Sequence, residues 1–121
     1  MCRAIFISIV LAISLSNCTK DHSANSSCNG CPAISFNHDV IPLFTQNCAI
    51  SGCHTGQYPA GNVNLDSLVA YVHATKPGTG YVHARSPSTS ILVQQLSVSA
   101  NQHMPPNAQL SDCQINIISC W

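Results

Sequence analysis

Charge is what this sequence has least of: four basic and four acidic side chains in 121 residues. There is no basic face to neutralise a nucleic-acid backbone and no acidic tail, so nucleic acid is excluded as a partner. So few charges also argue against strong electrostatic steering of any partner. Long apolar runs are missing too. Ala4 to Ile13 runs for ten residues, about half of the roughly 20 that a membrane-spanning helix needs. No internal repeat appears, and the one Asn-Gly pair, Asn29-Gly30, lacks the alternating flanks of a β-hairpin. The chain has room for one domain and little more. Cysteine is the exception to this sparseness, with eight residues.

The lone positive Arg3, the apolar "AIFISIVLAI" and the polar "SLSNCTKD" come in the order of a secretory signal. Leu15-Ser16-Asn17-Cys18 resembles the end of a bacterial lipoprotein signal, of the looser Bacteroidetes type, whose cysteine becomes the lipidated first residue. That resemblance implies a signal peptide over 1–17 and acyl chains on Cys18 that hold an exported protein to a membrane surface, facing the periplasm or the cell surface. Residues 18–34, rich in Ser, Asn and Gly, read as a flexible tether. After cleavage the charges are Lys20, Lys76 and Arg85 against Asp21, Asp39, Asp66 and Asp112, a balance of −1. Six cysteines besides Cys18 then lie in an oxidising compartment, where disulfides persist.

The domain proper spans 35–121. Val40, Phe44 and Cys48, four apart, with Ile41 beside them, form one apolar face of a first helix. Asp39 or Asn37 is its expected cap, with Pro42 in the first turn where no N–H is needed. A second helix is expected over "LDSLVAYVHATKPG": Asp66 caps it, Leu65, Leu68 and Val72 make one stripe, Val69, Val72 and His73 another, and Pro77-Gly78 stops it. Ser88 or Ser90 opens a third, "SILVQQLSV". The paired prolines of "SANQHMPPNAQ" favour an extended segment. Ser111 and Gln114 form a capping box for a last helix whose apolar face includes Ile115 and Ile118. The fold class is therefore all-α, with short helices and long loops.

The densest chemistry lies at "NCAISGCHTG", where Cys48 and Cys53 stand four residues apart and His54 follows directly. Three readings compete. Cys28, Cys31, Cys48 and Cys53 could form a four-sulfur zinc site, leaving His54 without a role. A Cys48–Cys53 disulfide needs no histidine either. Attachment of a c-type haem uses all three residues: two thiols add to the vinyl groups and the following imidazole binds iron. The usual motif has two residues between the cysteines. Here Gly52, through a positive φ, lets the additional residues bulge outward.

From "FNHDVIPLFTQNCAISGCHTG" through "NLDSLVAYV" and "SPSTSILVQQL" to "HMPPNAQLSDCQINIISCW", residues 36 to 121 resemble small single-haem cytochrome c domains, particularly those of exported Bacteroidetes lipoproteins. The resemblance implies three to four short helices around one haem c. Cys48 and Cys53 would bind it covalently, with His54 and Met104 as axial ligands of the iron and Pro42 near the haem edge. A thioether opposite a histidine raises the reduction potential. His103 is the rival ligand, with His73 and His83 more distant. Family members usually run several residues past the Trp, so the chain is expected to be cut short there. Pocket walls are expected from Val40, Phe44, Leu68, Leu92 and Ile115.

Cys28, Cys31, Cys113 and Cys120 remain. "CNGCP" has no histidine after Cys31 for a second haem and no βαβ surroundings for a redox dithiol. Cys113 and Cys120 lie about 10 Å apart along one helix, too far to bond each other. Cys28 and Cys31 are therefore expected to pair with them, in either order. The resulting expectation is an electron carrier rather than an enzyme, with redox proteins and a membrane surface as partners. The alternatives are a haem protein with an open iron site and a haem-free, disulfide-stapled binding module.

Overall fold

The computed structural model describes residues 28, 30–100 and 102–121. The signal peptide, Cys18 and most of the tether lie outside the described residues. The described residues form four short α-helices, α1 (Ile41–Asn47), α2 (Ala70–Ala74), α3 (Ile91–Gln95) and α4 (Asp112–Cys120), besides a π turn and two 3-10 turns, and no strand. No described helix is long and apolar enough to cross a membrane.

The first helix starts earlier than its caps suggest. A π turn over Phe36–Val40 runs straight into α1, with Ser35 at the N-cap position. Asp39 lies inside that turn, and its carboxylate accepts the Ser35 N–H at 2.6 Å. Pro42 therefore sits well inside the helical stretch. An interior proline ordinarily removes an i→i−4 bond and clashes with that carbonyl. Here Ile41 N–H reaches back five residues to the Phe36 carbonyl, so the wide turn meets the proline where the hydrogen-bond register changes.

The second helix is shorter and differently phased than expected. Asn64 Oδ1 accepts the Asp66 N–H at 2.8 Å, and this local turn delays the helix to Ala70. The inward stripe is then Ala70 and Ala74, both buried, while Leu68 is 93% exposed and Val72 67%. Leu68 is thus no pocket wall. In α3 the cap position falls to Ser90, which is buried; its Oγ accepts the His83 N–H and donates to the Ser86 carbonyl.

α4 carries the expected capping box: Ser111 Oγ accepts Gln114 N–H, and Gln114 Oε1 accepts Ser111 N–H. Such a cap contributes about 1 kcal/mol. The core brings Val40 and Phe44 against Leu65, Ala70, Leu96, Leu110 and Ile118, with Cys48 at its edge. Around Phe36, Trp121 packs at 4.6 Å between ring centroids and Tyr71 at 5.2 Å.

Two disulfides tie the N-terminal segment to α4: Cys28 to Cys113 and Cys31 to Cys120, with Cα atoms 5.2 and 5.1 Å apart. Between them Asn116 Nδ2 donates to the carbonyls of Cys28 and Gly30. In a chain-entropy account, closing a loop of 85 residues contributes about 4.5 kcal/mol. The second bridge then closes a loop of only about ten residues, worth about 2.7 kcal/mol.

Candidate haem-binding cavity

The end of α1 delivers Cys48 from the buried face of that helix. The four-residue spacer then leaves the core as a turn: Cys53 N–H donates to the Ile50 carbonyl, and His54 N–H returns to the Cys48 carbonyl at 3.1 Å. Ser51 and Gly52 are exposed, and Gly52 has φ of 81° with open space where a Cβ would stand. Conformation rather than crowding favours glycine there. The longer spacer thus leaves both thiols at the cavity, with its own Ile50 and Gly52 lining the exposed rim.

Both thiols are free, and Cys48 is buried while Cys53 is half-buried. Burial pushes the Cys48 thiol up to about 11, and the Cys53 thiol beside it adds to the rise. The zinc reading fails on the sulfurs themselves: Cys28 and Cys31 are taken up by α4. Among the described residues no three His, Cys, Asp or Glu side chains come together as a metal-ion site.

His54 is fixed by its other nitrogen. The Val63 carbonyl lies 3.1 Å from Nδ1; a carbonyl only accepts, so Nδ1 is the donor, and in the neutral ring Nε2 is the nitrogen with the free lone pair. A hydrogen bond from the other ring nitrogen is the usual way an imidazole is oriented toward a metal. The loop bearing Val63 is itself returned to the motif, since Leu65 N–H donates to the His54 carbonyl at 2.7 Å and Ala60 N–H to that of Cys53 at 2.8 Å.

Two adjoining cavities open on His54. One, of about 350 Å³, is lined by Cys48, Cys53, His54, Met104 and the Pro105–Ala108 segment. The other, of about 240 Å³, has Cys48, His54 and Met104 in common with it and is walled by Val63, Leu65, Ala74, Ile91, Leu92 and Leu96. Met104 is positioned by its backbone, whose N–H donates to the Gln95 carbonyl. His103 lines neither cavity. His73 and His83 are occupied elsewhere, His73 Nδ1 accepting from Asn64 N–H and His83 Nδ1 bonding Thr89 Oγ1.

Of the walls expected from the sequence, Leu92 alone lines a cavity; Val40 and Phe44 belong to the core, and Ile115 packs against that core. The sequence pattern gave no sign of Val63, whose contribution is a main-chain carbonyl, or of Tyr81 and Gln95, polar residues at the second cavity. The described charged side chains are Asp39, Asp66, Lys76, Arg85 and Asp112, and none lines either cavity.

This arrangement fits a haem. The His54 imidazole and the Met104 thioether share one largely apolar space, with the free thiols of Cys48 and Cys53 at its edge. Residues 51–108 match the model of the Planctomycete cytochrome C family, a stretch that includes Cys53, His54 and Met104 and begins three residues after Cys48. No curated protein and no solved structure matches the chain. The family match supports a cytochrome c-like domain, in keeping with the all-α fold, and that family implies covalently bound haem c.

Proposed function

We propose that this chain is an exported, lipid-anchored carrier of single electrons, with haem c held through Cys48 and Cys53 and ligated by His54 and Met104. Residues 1–17 would serve as signal peptide, Cys18 as lipid attachment point, and residues 18–34 as the tether to the domain. The observation that carries the redox reading is that His54, oriented through Nδ1, and Met104 line the same two cavities as the buried Cys48 thiol.

Bound haem supplies a one-electron Fe(III)/Fe(II) couple. The chain does the rest. Cys48 and Cys53 would hold it covalently, each S–H adding across a vinyl C=C as a C–S and a C–H bond, an addition with no net redox change. His54 would supply Nε2 to the iron, and the Val63 carbonyl keeps the ring from turning. Met104 would supply the second ligand, and an iron so held would have no open position for substrate, which separates a carrier from an enzyme. Val63, Leu65, Leu92 and Leu96 exclude water, which limits the reorganisation that accompanies a change of charge.

The mouth at Ile50, Gly52, Pro106 and Asn107 carries no charged side chain. Its partners are accordingly redox proteins that dock through an uncharged face.

Visible spectroscopy tests the ligand set. The reduced protein should be low-spin, with a thioether-to-iron band in the oxidised form, and Met104→Ala should lose that band and become high-spin. An unaltered low-spin spectrum in Met104→Ala would assign the sixth position to another residue, His103 first. A high-spin spectrum in the unmodified protein would replace the carrier by a haem protein with an open iron site.

A further inference from the structure

One residue near the cavity makes more directed bonds than a surface loop requires. Asn64 follows Val63, whose carbonyl fixes His54. Its side chain donates through Nδ2 to the Gly56 carbonyl at 3.1 Å and accepts through Oδ1 from Asp66 N–H at 2.8 Å. Its backbone N–H donates to His73 Nδ1 on α2 at 3.2 Å. Gly56 lies two residues after His54, so the Asn64 side chain spans the loop between the imidazole and the carbonyl it bonds. Beside it, Thr55 Oγ1 donates to Asp66 Oδ2 at 3.2 Å across the same loop.

We infer that Asn64 is a positioning residue that sets the strength of the His54 Nδ1–Val63 hydrogen bond and through it the reduction potential of the bound group. This rests on the ligand role proposed for His54. A firm Nδ1–H···O=C bond raises the basicity of a ligating imidazole and so favours the more highly charged metal state. Slackening the bond therefore shifts the couple toward the reduced state. Asn suits the position because a short amide can donate and accept at once. Ser can still accept from Asp66 N–H as a local turn does, but it is too short to reach Gly56 as well.

The test compares Asn64→Ala and Asn64→Ser with the unmodified holoprotein. Midpoint potential, solvent exchange of the His54 Nδ1 proton by NMR, and thermal stability are all measured. Both variants should have a raised potential and Nδ1 proton exchange faster by about fivefold or more, the factor set by one lost hydrogen bond. If Asn64 matters only for the turn, Asn64→Ala loses stability, Asn64→Ser recovers it, and neither changes potential or exchange; that result overturns the inference. Should Asn64→Ala fail to fold, Asn64→Ser alone decides between the two. Absence of covalent haem from the unmodified protein would defeat the reading beneath the inference, and the inference with it, in a way that the intact mass identifies before any variant is compared.

Discussion

The two halves of this molecule are held together by different means. On one side, the segment around Cys28 and Cys31 and the helix α4 are joined by two disulfides, by Asn116 and by the Phe36–Trp121 contact. On the other, the loop-rich stretch from Cys53 to Ala108 contains two five-residue helices and relies on single hydrogen bonds such as Leu65 to His54 and Met104 to Gln95. The first half is complete as a covalent clamp. The second is arranged around cavities walled by Cys48, His54 and Met104, and filling that space adds contacts that an empty cavity lacks. The stability of the clamp is thus a property of the chain, and a group bound in the cavities would add to that of the other half.

The largest effect comes from breaking the clamp. Replacing Cys28, Cys31, Cys113 and Cys120 together by Ala should cost about 7 kcal/mol, from the loop closures of the two bridges. That is comparable to the whole stability of a small domain, so denaturant unfolding of the holoprotein should show a much lower midpoint or no folded baseline. Removing one bridge is a milder change. Either Cys28→Ala with Cys113→Ala, or Cys31→Ala with Cys120→Ala, should cost about 2.7 kcal/mol, because the surviving bridge still closes the long loop. Equal losses from the two pairs support this entropic account; a loss of the full 7 kcal/mol from one pair would contradict it.

The cavity half is probed through its thiols. In haem-free protein near neutral pH, Cys53 should be alkylated well before Cys48, since Cys48 is buried and its thiol is pushed up to about 11. Peptide mapping after a short pulse of iodoacetamide reads the order. Equal labelling of both would show that this half is open without its cofactor, and would sharpen the contrast with the clamp. The smallest effect concerns the uncharged mouth. Electron exchange with a neutral redox reagent and with hexacyanoferrate should each vary by less than about threefold between 10 and 500 mM salt, because screening acts only on charges. A steep salt dependence would place an unsuspected charge beside the mouth.

Side-chain patterns made the clamp easy to read and the cavity hard. Ser111 and Gln114 announce α4 because a cap is a side-chain interaction, and Cys113 and Cys120 fall on one helix at a spacing that forbids their own pairing. The start of α2 was not legible in the same way. Its turn is set by Asn64 capping the Asp66 amide, and the inward residues Ala70 and Ala74 give a weaker apolar signal than the exposed Leu68 and Val72. The first helix extends to Phe36 because a π turn accommodates Pro42, a register change that composition does not encode. Cys48, Cys53, His54 and Met104 are recognisable by type and spacing. The Val63 carbonyl that orients His54 is main chain, present in every residue, and only the folded loop distinguishes it.

The central claim is that a haem is bound covalently at Cys48 and Cys53, and intact mass after denaturation tests it most directly. Protein expressed with a cytochrome c maturation system should retain the added mass of one haem in denaturant, and Cys48→Ala combined with Cys53→Ala should abolish that gain. A denatured mass equal to that of the polypeptide with its two disulfides, and no added haem, would contradict the account.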